Sequence, residues 1–126
     1  MMQVMIDTHI VVWLYMGAVE KLSIKAQQNI ESNELLISPI ILLELQYLFE
    51  IGKILVSSEE IYEDLQFRIG LRIDHTLWSR VIKEALALNW TRDPFDRLIV
   101  AHANVIKCHL ITKDSFIKSH FSKVIW

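Results

Sequence analysis

The chain has 126 residues, 52% of them hydrophobic, with three glycines and two prolines. This length suits one domain with a substantial core, so we expect residues 1–126 to form a single domain with short loops. The formal net charge of −2 excludes a strongly basic protein that coats nucleic acid without specificity. A nucleic-acid substrate is still compatible with this charge. If bound metal neutralised four of the fifteen acids, thirteen Lys and Arg would face the remaining eleven.

Short apolar runs separated by helical segments follow one another along the chain. We predict strands at residues 4–6, 35–37, 71–73, 109–111 and 124–126. We predict helices at residues 10–16, from 24 onward, at 39–51, 58–67, 76–88 and 93–106, and a short one after 114. Strands that are apolar throughout and alternate with helices are typical of a parallel sheet covered on both faces. The predicted fold is therefore α/β, with three layers and a central, mostly parallel sheet.

The sequence also indicates a reducing compartment. Cys108 is the one cysteine and cannot form a disulfide within the chain. The apolar stretch at residues 10–19 is too short to span a bilayer, and no basic segment precedes it. We therefore expect a cytoplasmic protein that does not enter a membrane.

One acid lies inside an apolar helix. Ser38 and Pro39 are typical of a helix N-cap and first helical position, and Gly52 of its end. Helical spacing puts Glu44 roughly opposite the polar stripe formed by Gln46, Glu50 and Lys53. A carboxylate on an apolar face is unfavourable unless its charge is compensated, and the sequence offers no evident buried base for Glu44.

Three further acids follow apolar runs or begin helices: Asp7, Asp96 and Asp114. Since ligands bind at the carboxyl ends of parallel strands, these side chains and Glu44 can converge on one edge of the sheet. Mg²⁺ and Mn²⁺ prefer such hard oxygen ligands. The acids therefore predict a divalent-metal site that could activate water for phosphodiester hydrolysis.

Taken singly, most of these acids have a structural interpretation. Asp93, which precedes a proline, is a normal helix N-cap, and Asp96 in the following turn complements the helix dipole. Asp114 could cap the next helix, and Asp7 could be a turn residue. The functional hypothesis depends on the set rather than on any one member.

Four segments of the sequence resemble the acidic motifs of PIN-domain proteins. They are Asp7-Thr8 with Trp13-Leu14, Ser38 with Glu44, residues 92–99 with Ala101 and Ala103, and residues 111–114. The third segment, Arg-Asp-Pro-Phe-Asp-Arg-Leu-Ile, is the most specific. The resemblance is strongest to single-domain PIN toxins of bacterial VapBC-type toxin–antitoxin modules, and it extends from residue 5 to about residue 121.

This resemblance implies an α/β/α fold and an Mg²⁺- or Mn²⁺-dependent ribonuclease. By position, the acidic quartet of the family matches Asp7, Glu44, Asp96 and Asp114. Asp93 matches an additional acid, while Thr8 and Thr112 match residues beside the site. The resemblance further implies a homodimer that a cognate antitoxin silences. His102 stands where glutamine is frequent, and Trp90 where histidine is common.

Basic residues near these motifs could contact RNA phosphates: Arg92, Arg97, Lys113 and Lys118. Arg97 could equally pair with a neighbouring acid. The four tryptophans are too scattered in sequence to predict a base-stacking surface.

Two other classes of protein compete with the nuclease. A phosphoacceptor signalling domain does not account for Glu44 inside an apolar helix. A non-catalytic PIN-like scaffold that binds RNA or protein does not account for the retention of all four acids.

Overall fold

The computed structural model describes residues 2–126, in which five parallel strands form one central sheet. The strands are β1 (Gln3–Ile6), β2 (Glu34–Ile37), β3 (Arg72–Ile73), β4 (His109–Ile111) and β5 (Val124–Ile125). Their order across the sheet is β3-β2-β1-β4-β5, and every neighbouring pair is parallel. The predicted parallel sheet is confirmed.

Seven α-helices lie in the described part of the chain, and the predicted three-layer α/β/α fold is confirmed. They are α1 (Thr8–Met16), α2 (Ile24–Ser32), α3 (Ile40–Glu50), α4 (Ser58–Ile69), α5 (Trp78–Ala85), α6 (Pro94–Val105) and α7 (Ser115–His120). A short 3₁₀ turn at Val19–Lys21 was not predicted. None of the helices within residues 2–126 combines the length and apolar character needed to cross a membrane.

The central strand is covered on both faces. Val4, Met5 and Ile6 are consecutive residues of β1, so their side chains point alternately to opposite faces, and all three are fully buried. Burial on both faces is characteristic of a parallel sheet between helical layers.

The path of the chain creates a crevice beside β1. The chain builds β2 and β3 on one side of β1 and then crosses to the other side for β4 and β5. Ligands in open α/β sheets bind at such a reversal of strand order, outside the carboxyl ends of the strands. Here the reversal lies between β1 and β4, and Asp7 immediately follows β1.

Two helix starts differ from prediction by two residues because side chains rearrange the local backbone. Helix α1 begins at Thr8, two residues early, because Asp7 occupies the N-cap position and accepts the Thr8 N–H. Helix α5 begins at Trp78 rather than at residue 76. The Asp74 carboxylate accepts the Thr76 N–H at 3.0 Å and holds that segment in a turn.

The predicted capping role of Ser38 is wrong. Pro39 has helical backbone angles, but no side chain caps α3, because the Ser38 hydroxyl is hydrogen-bonded to His102 instead. The Ser38 hydroxyl therefore makes a tertiary hydrogen bond instead of capping the helix that follows it.

Candidate active site

Asp7 is held by backbone and side-chain hydrogen bonds at the end of the central strand. Its N–H donates to the Ile111 carbonyl at 3.1 Å, which joins the ends of β1 and β4. One carboxylate oxygen accepts the Thr8 N–H at 2.7 Å, and the other accepts the Thr112 hydroxyl at 2.6 Å. Burial raises the pKa of Asp7, although the hydrogen bonds from Thr112 and Thr8 oppose this change. Its orientation is therefore fixed before any ligand binds.

Glu44 reaches the same edge from α3. The Thr8 hydroxyl donates to its carboxylate, and the Thr8 N–H donates to Asp7, so Thr8 contacts two of the predicted acids. Glu44 is half-buried rather than enclosed among apolar side chains as predicted, and nearby Tyr47 is 49% exposed. Burial raises the pKa of Glu44, and the negative charges of Asp7 and Asp93 raise it further, whereas the bond from Thr8 lowers it.

Two acids occupy the N-terminus of α6. Asp93 is its N-cap and accepts the N–H groups of Phe95 and Asp96 at 2.9 and 3.3 Å. Asp96, in the first turn of the helix, has its pKa raised from its ordinary value of 3.8 to about 7. Burial is the largest cause, and the rest comes from the negative charges of Asp93, Asp7, Asp114 and Glu44. These four carboxylates therefore lie close enough to Asp96 to raise its pKa.

Asp114 completes the group beyond β4. One of its oxygens caps α7 by accepting the N–H groups of Phe116 and Ile117 at 2.8 and 3.0 Å. Thr112 accepts the Asp114 N–H at 3.1 Å while its hydroxyl donates to Asp7. The capping interpretation is thus correct for Asp114, and its other carboxylate oxygen makes no hydrogen bond in the described structure.

This set of oxygens suits a hard divalent cation. None of the ion pairs formed within residues 2–126 involves these acids: Asp7, Glu44, Asp93, Asp96 and Asp114. A cation among them would relieve the repulsion that raises the pKa of Asp96. Within residues 2–126, no three of these side chains are close enough to one another to hold a metal ion without moving. The chemistry of the donors therefore fits Mg²⁺ or Mn²⁺, but binding would have to draw the side chains together.

The raised pKa of Asp96 predicts how stability changes with pH. Since the folded protein holds this proton more tightly than the unfolded chain, stability present at low pH is lost as pH rises from about 4 through 7. In EDTA at pH 8, we expect Asp96→Asn to raise the free energy of unfolding by about 1–2 kcal/mol, a value reduced for solvent screening. At pH 4 the variant and the parent should be equally stable.

Urea unfolding at both pH values measures this difference. Glu63→Gln, an exposed substitution on α4, serves as the control and should show no such pH-dependent gain. A constant difference between Asp96→Asn and the parent across this range would contradict the electrostatic explanation.

Arg97 has a structural role in this fold. Its guanidinium donates to the carbonyls of Ala85 and Leu86, at 2.7 and 3.2 Å, and to that of Thr91 at 3.5 Å. It therefore binds carbonyl oxygens at the end of α5, which helps to explain why this helix ends at Ala85 and not at residue 88, the predicted end. The structure engages it with backbone oxygens rather than with any of the acids.

The other predicted basic residues are exposed to solvent: Arg92, Lys113 and Lys118. Lys113 lies between Thr112 and Asp114 and lines an open cavity with them and Asp7. Lys113 therefore shares a cavity with two of the predicted acids.

The sequence did not predict a hydrogen-bonded series of three polar residues, of which two are fully buried and Asp74 is partly buried. His102 in α6 is fully buried; its Nδ1 lies 2.8 Å from the Ser38 hydroxyl, and its Nε2 lies 2.7 Å from Asp74. Partial burial would raise the pKa of Asp74, but hydrogen bonds from Thr76 and His102 together lower it below its usual value. No local signal could have linked residues 64 and 28 positions apart.

Ser38, His102 and Asp74 do not form a serine-hydrolase triad. In such triads Nε2 faces the serine and Nδ1 the aspartate, which is the reverse of the arrangement here. Ser38 is also fully buried and cannot reach a substrate. The hydrogen bond between Ser38 and His102 has a structural effect. It connects the start of α3, which carries Glu44, to α6, which carries Asp96.

Comparison with known proteins supports the same reading of the fold. The sequence profile of the PIN domain family matches residues 4–120. No curated protein matches the chain. A toxin–antitoxin complex from Klebsiella pneumoniae contains a chain of similar structure, with a TM-score of 0.69 at 19% identity over 98% of this chain and 96% of that one.

Two further solved structures are similar. One is VapBC2 from Rickettsia felis bound to a DNA fragment from its promoter, with a TM-score of 0.60 at 22% identity over 94% of this chain and 92% of that one. The other is VapBC-1 from nontypeable Haemophilus influenzae, with a TM-score of 0.57 at 20% identity over 100% and 96% of the two chains. At these identities the likeness establishes a common fold.

Proposed function

The chain belongs to the PIN domain family, and on that basis we propose that it is a metal-dependent endoribonuclease, the toxin of a type II toxin–antitoxin pair. The main support for the proposal is the group of carboxylates at the β1/β4 crevice. Within residues 2–126, none of these carboxylates forms an ion pair with a basic side chain. The pKa of Asp96 is raised to about 7, first by burial and further by the negative charges of the other four acids. A bound cation would favour the ionised carboxylates, which supports the proposal.

Asp7, Glu44, Asp96 and Asp114 would hold Mg²⁺ or Mn²⁺, and Asp93 could add an oxygen from the N-cap of α6. When bound, the cation supplies the Lewis acidity that activates water and stabilises the leaving oxygen in phosphodiester hydrolysis. Thr112 and Thr8 orient the carboxylates of Asp7 and Glu44 by donating their hydroxyls. Lys113 is exposed and lines one cavity with Asp7 and Asp114, which supports a role in contacting an RNA phosphate.

We also propose a cognate antitoxin as partner, a homodimeric assembly and a cytoplasmic location. The solved structures with this fold come from toxin–antitoxin complexes, which supports a protein partner. Helix α3 also exposes three apolar side chains to solvent, and a partner protein or a second subunit could cover them. They are Leu43, Tyr47 and Phe49.

The test is cleavage of total cellular RNA by the purified protein, freed of any copurified partner by denaturation and refolding. We expect discrete fragments with Mg²⁺ or Mn²⁺ and none with EDTA or with Asp7→Asn. Asp64→Asn, an acid that pairs with Arg68 at 2.6 Å on α4, is the matched control and should cut normally. Refolded protein that cuts no RNA with either metal would instead favour the non-catalytic scaffold.

A further inference from the structure

An open cavity of about 760 Å³ lies at the edge of the sheet opposite the acids. Lys107, which precedes β4, and Lys123, which precedes β5, both line it. Because the strands are parallel, these lysines lie at the amino edge of the sheet, whereas Asp7 and Asp114 follow the carboxyl ends of β1 and β4. We call this cavity the basic cleft, because of the described residues that line it four are bases and one is an acid. They are Arg80, Lys83, Lys107, Lys123 and Glu84.

Within residues 2–126, the four bases of the cleft have no partner of opposite charge, since none of them takes part in an ion pair. Arg80 and Glu84 are one helical turn apart on α5, but a base that precedes its acid is the weaker arrangement, and the two do not pair. With four bases and one acid, the cleft carries a net charge of +3 in a protein whose formal net charge is −2. Like charges around one concavity repel one another, so a bound anion would stabilise them.

Lys107 has a backbone conformation that does not favour lysine. Its φ of 57° lies in the left-handed region, just after the C-cap of α6. Glycine commonly occupies this position, because a β-carbon makes the conformation unfavourable. Local backbone preference therefore does not account for a lysine here, whereas its charge adds to the cleft that it lines.

The lining of the basic cleft suits a chain of phosphate groups better than a small ligand. Pockets for small molecules are usually lined by apolar and aromatic side chains with a few precisely placed polar groups. In the described part of the chain, no aromatic side chain lines the cleft, and Arg80, Lys83 and Lys107 are exposed. Such a surface can hold the repeated charges of a nucleic-acid backbone without reading its bases.

Helix α6 connects the basic cleft to the acids. Asp96 is in its first turn, and Asn104, eight residues later, lines the cleft. At 1.5 Å per residue, these two positions are about 12 Å apart along the helix axis. A nucleic-acid strand advances about 3.4 Å per nucleotide, so roughly four nucleotides cover this distance. Helix α7 also leads from Asp114 towards the start of β5, and it carries exposed Lys118.

We propose that the basic cleft binds the phosphate backbone of the RNA, about four or more nucleotides from the bond that is cut. This inference rests on the proposed function and extends it to a second contact on the same strand. Carboxylates without metal repel phosphates, so bases at a distance let the protein bind RNA whether or not the metal is present. The contact adds affinity for RNA and does not select a sequence.

Fluorescence anisotropy with a labelled twenty-nucleotide single-stranded RNA tests the proposal. The measurement is made in EDTA, which prevents metal-dependent cleavage. Two double substitutions remove bases from different elements: Arg80→Gln with Lys83→Gln in α5, and Lys107→Gln with Lys123→Gln before β4 and β5. We expect each to reduce the slope of log affinity against log salt by about 1.4, the value for two phosphate contacts on a single strand. Affinity at 0.1 M salt should fall about 10- to 25-fold.

Lys25→Gln with Lys53→Gln is the matched control, because both lysines are exposed and lie outside the cleft. This pair makes the same change in net charge, and since salt screens distant surface charges its affinity should stay within about 2-fold of the parent. With Mg²⁺, the cleft substitutions should raise KM for this RNA and leave kcat unchanged, because the bases lie away from the reacting atoms.

If both cleft pairs bind RNA as tightly as the control pair does, the proposal is wrong. Inorganic triphosphate or a peptide of ten glutamates could instead bind the parent and lose affinity in both pairs while RNA binding is unchanged. That result would also overturn the proposal, because the ligand would be a different anion. If both pairs weaken RNA binding but the parent cuts no RNA with either metal, the cleft contact is supported and the proposed function is wrong.

Discussion

Glu44→Gln is expected to lower RNA cleavage at least about 10³-fold, which corresponds to about 4 kcal/mol of transition-state stabilisation. The substitution removes one negative charge from the acid group and leaves the side chain the same size. In the parent, the Thr8 hydroxyl donates a hydrogen bond to the Glu44 carboxylate. In the variant, the glutamine carbonyl can accept the same bond. Because the pKa of Glu44 is raised by burial and by Asp7 and Asp93, the charge destabilises the metal-free fold. The variant should therefore be inactive yet at least as stable as the parent in EDTA.

Glu50→Gln is the matched control, since Glu50 lies at the exposed end of the same helix, where it accepts a bond from Gln46 at 3.2 Å. It should cut RNA at the parental rate. Initial rates of cleavage and urea unfolding in EDTA separate loss of chemistry from loss of fold. Normal activity in Glu44→Gln would remove this residue from the site, and a large loss of stability would show that its role is structural.

Asp7, Asp93 and Asp114 could be located from the sequence because each stands at the start of a helix. Asp7 directly follows a short apolar run, and Asp93 precedes a proline at a helix start. Short polar side chains at such positions cap the next helix, as both of these do. Once the sheet is taken as parallel, strand ends and the following helix starts share one edge, so convergence follows from topology.

The surroundings of Glu44 could not be predicted in the same way. Helical spacing gives the direction of a side chain, but the degree of burial depends on which other elements pack beside it. The pattern predicted an enclosed carboxylate, whereas Glu44 is half-buried and its hydrogen-bond donor, Thr8, is 36 residues away. Two apolar residues of the same helix, Leu43 and Phe49, are also solvent-accessible, at 59% and 37% exposure.

Ser38 illustrates how a long-range contact can override a correct local signal. Serine before proline is a strong N-cap pattern, yet its hydroxyl is hydrogen-bonded to a histidine 64 positions later. A buried imidazole needs a partner for each nitrogen, and Ser38 and Asp74 supply them. Capping by Ser38 would leave one buried ring nitrogen unsatisfied, which costs more than an uncapped helix start.

His102→Ala is accordingly expected to lower the free energy of unfolding by about 2–4 kcal/mol at pH 7. It leaves a cavity in the core, and it strips the buried Ser38 hydroxyl of its partner. Asp74 also loses a bond that holds its pKa below the usual value, so part of its contribution to stability above pH 4 disappears. His102→Gln should cost less than about 1.5 kcal/mol, because its amide can donate to Asp74 and accept from Ser38.

Urea unfolding of the two variants beside His75→Ala measures this ranking. His75 is exposed and follows Asp74 in the sequence. Its substitution therefore removes a nearby histidine and leaves the hydrogen bonds among Ser38, His102 and Asp74 in place. Cleavage should fall in His102→Ala more than in His102→Gln, since the chain connects the helices that carry Glu44 and Asp96. If His102→Ala were as stable as His75→Ala, the Ser38–His102–Asp74 chain would not be what positions α3 against α6, and the relative position of those two acids would have to depend on apolar packing alone.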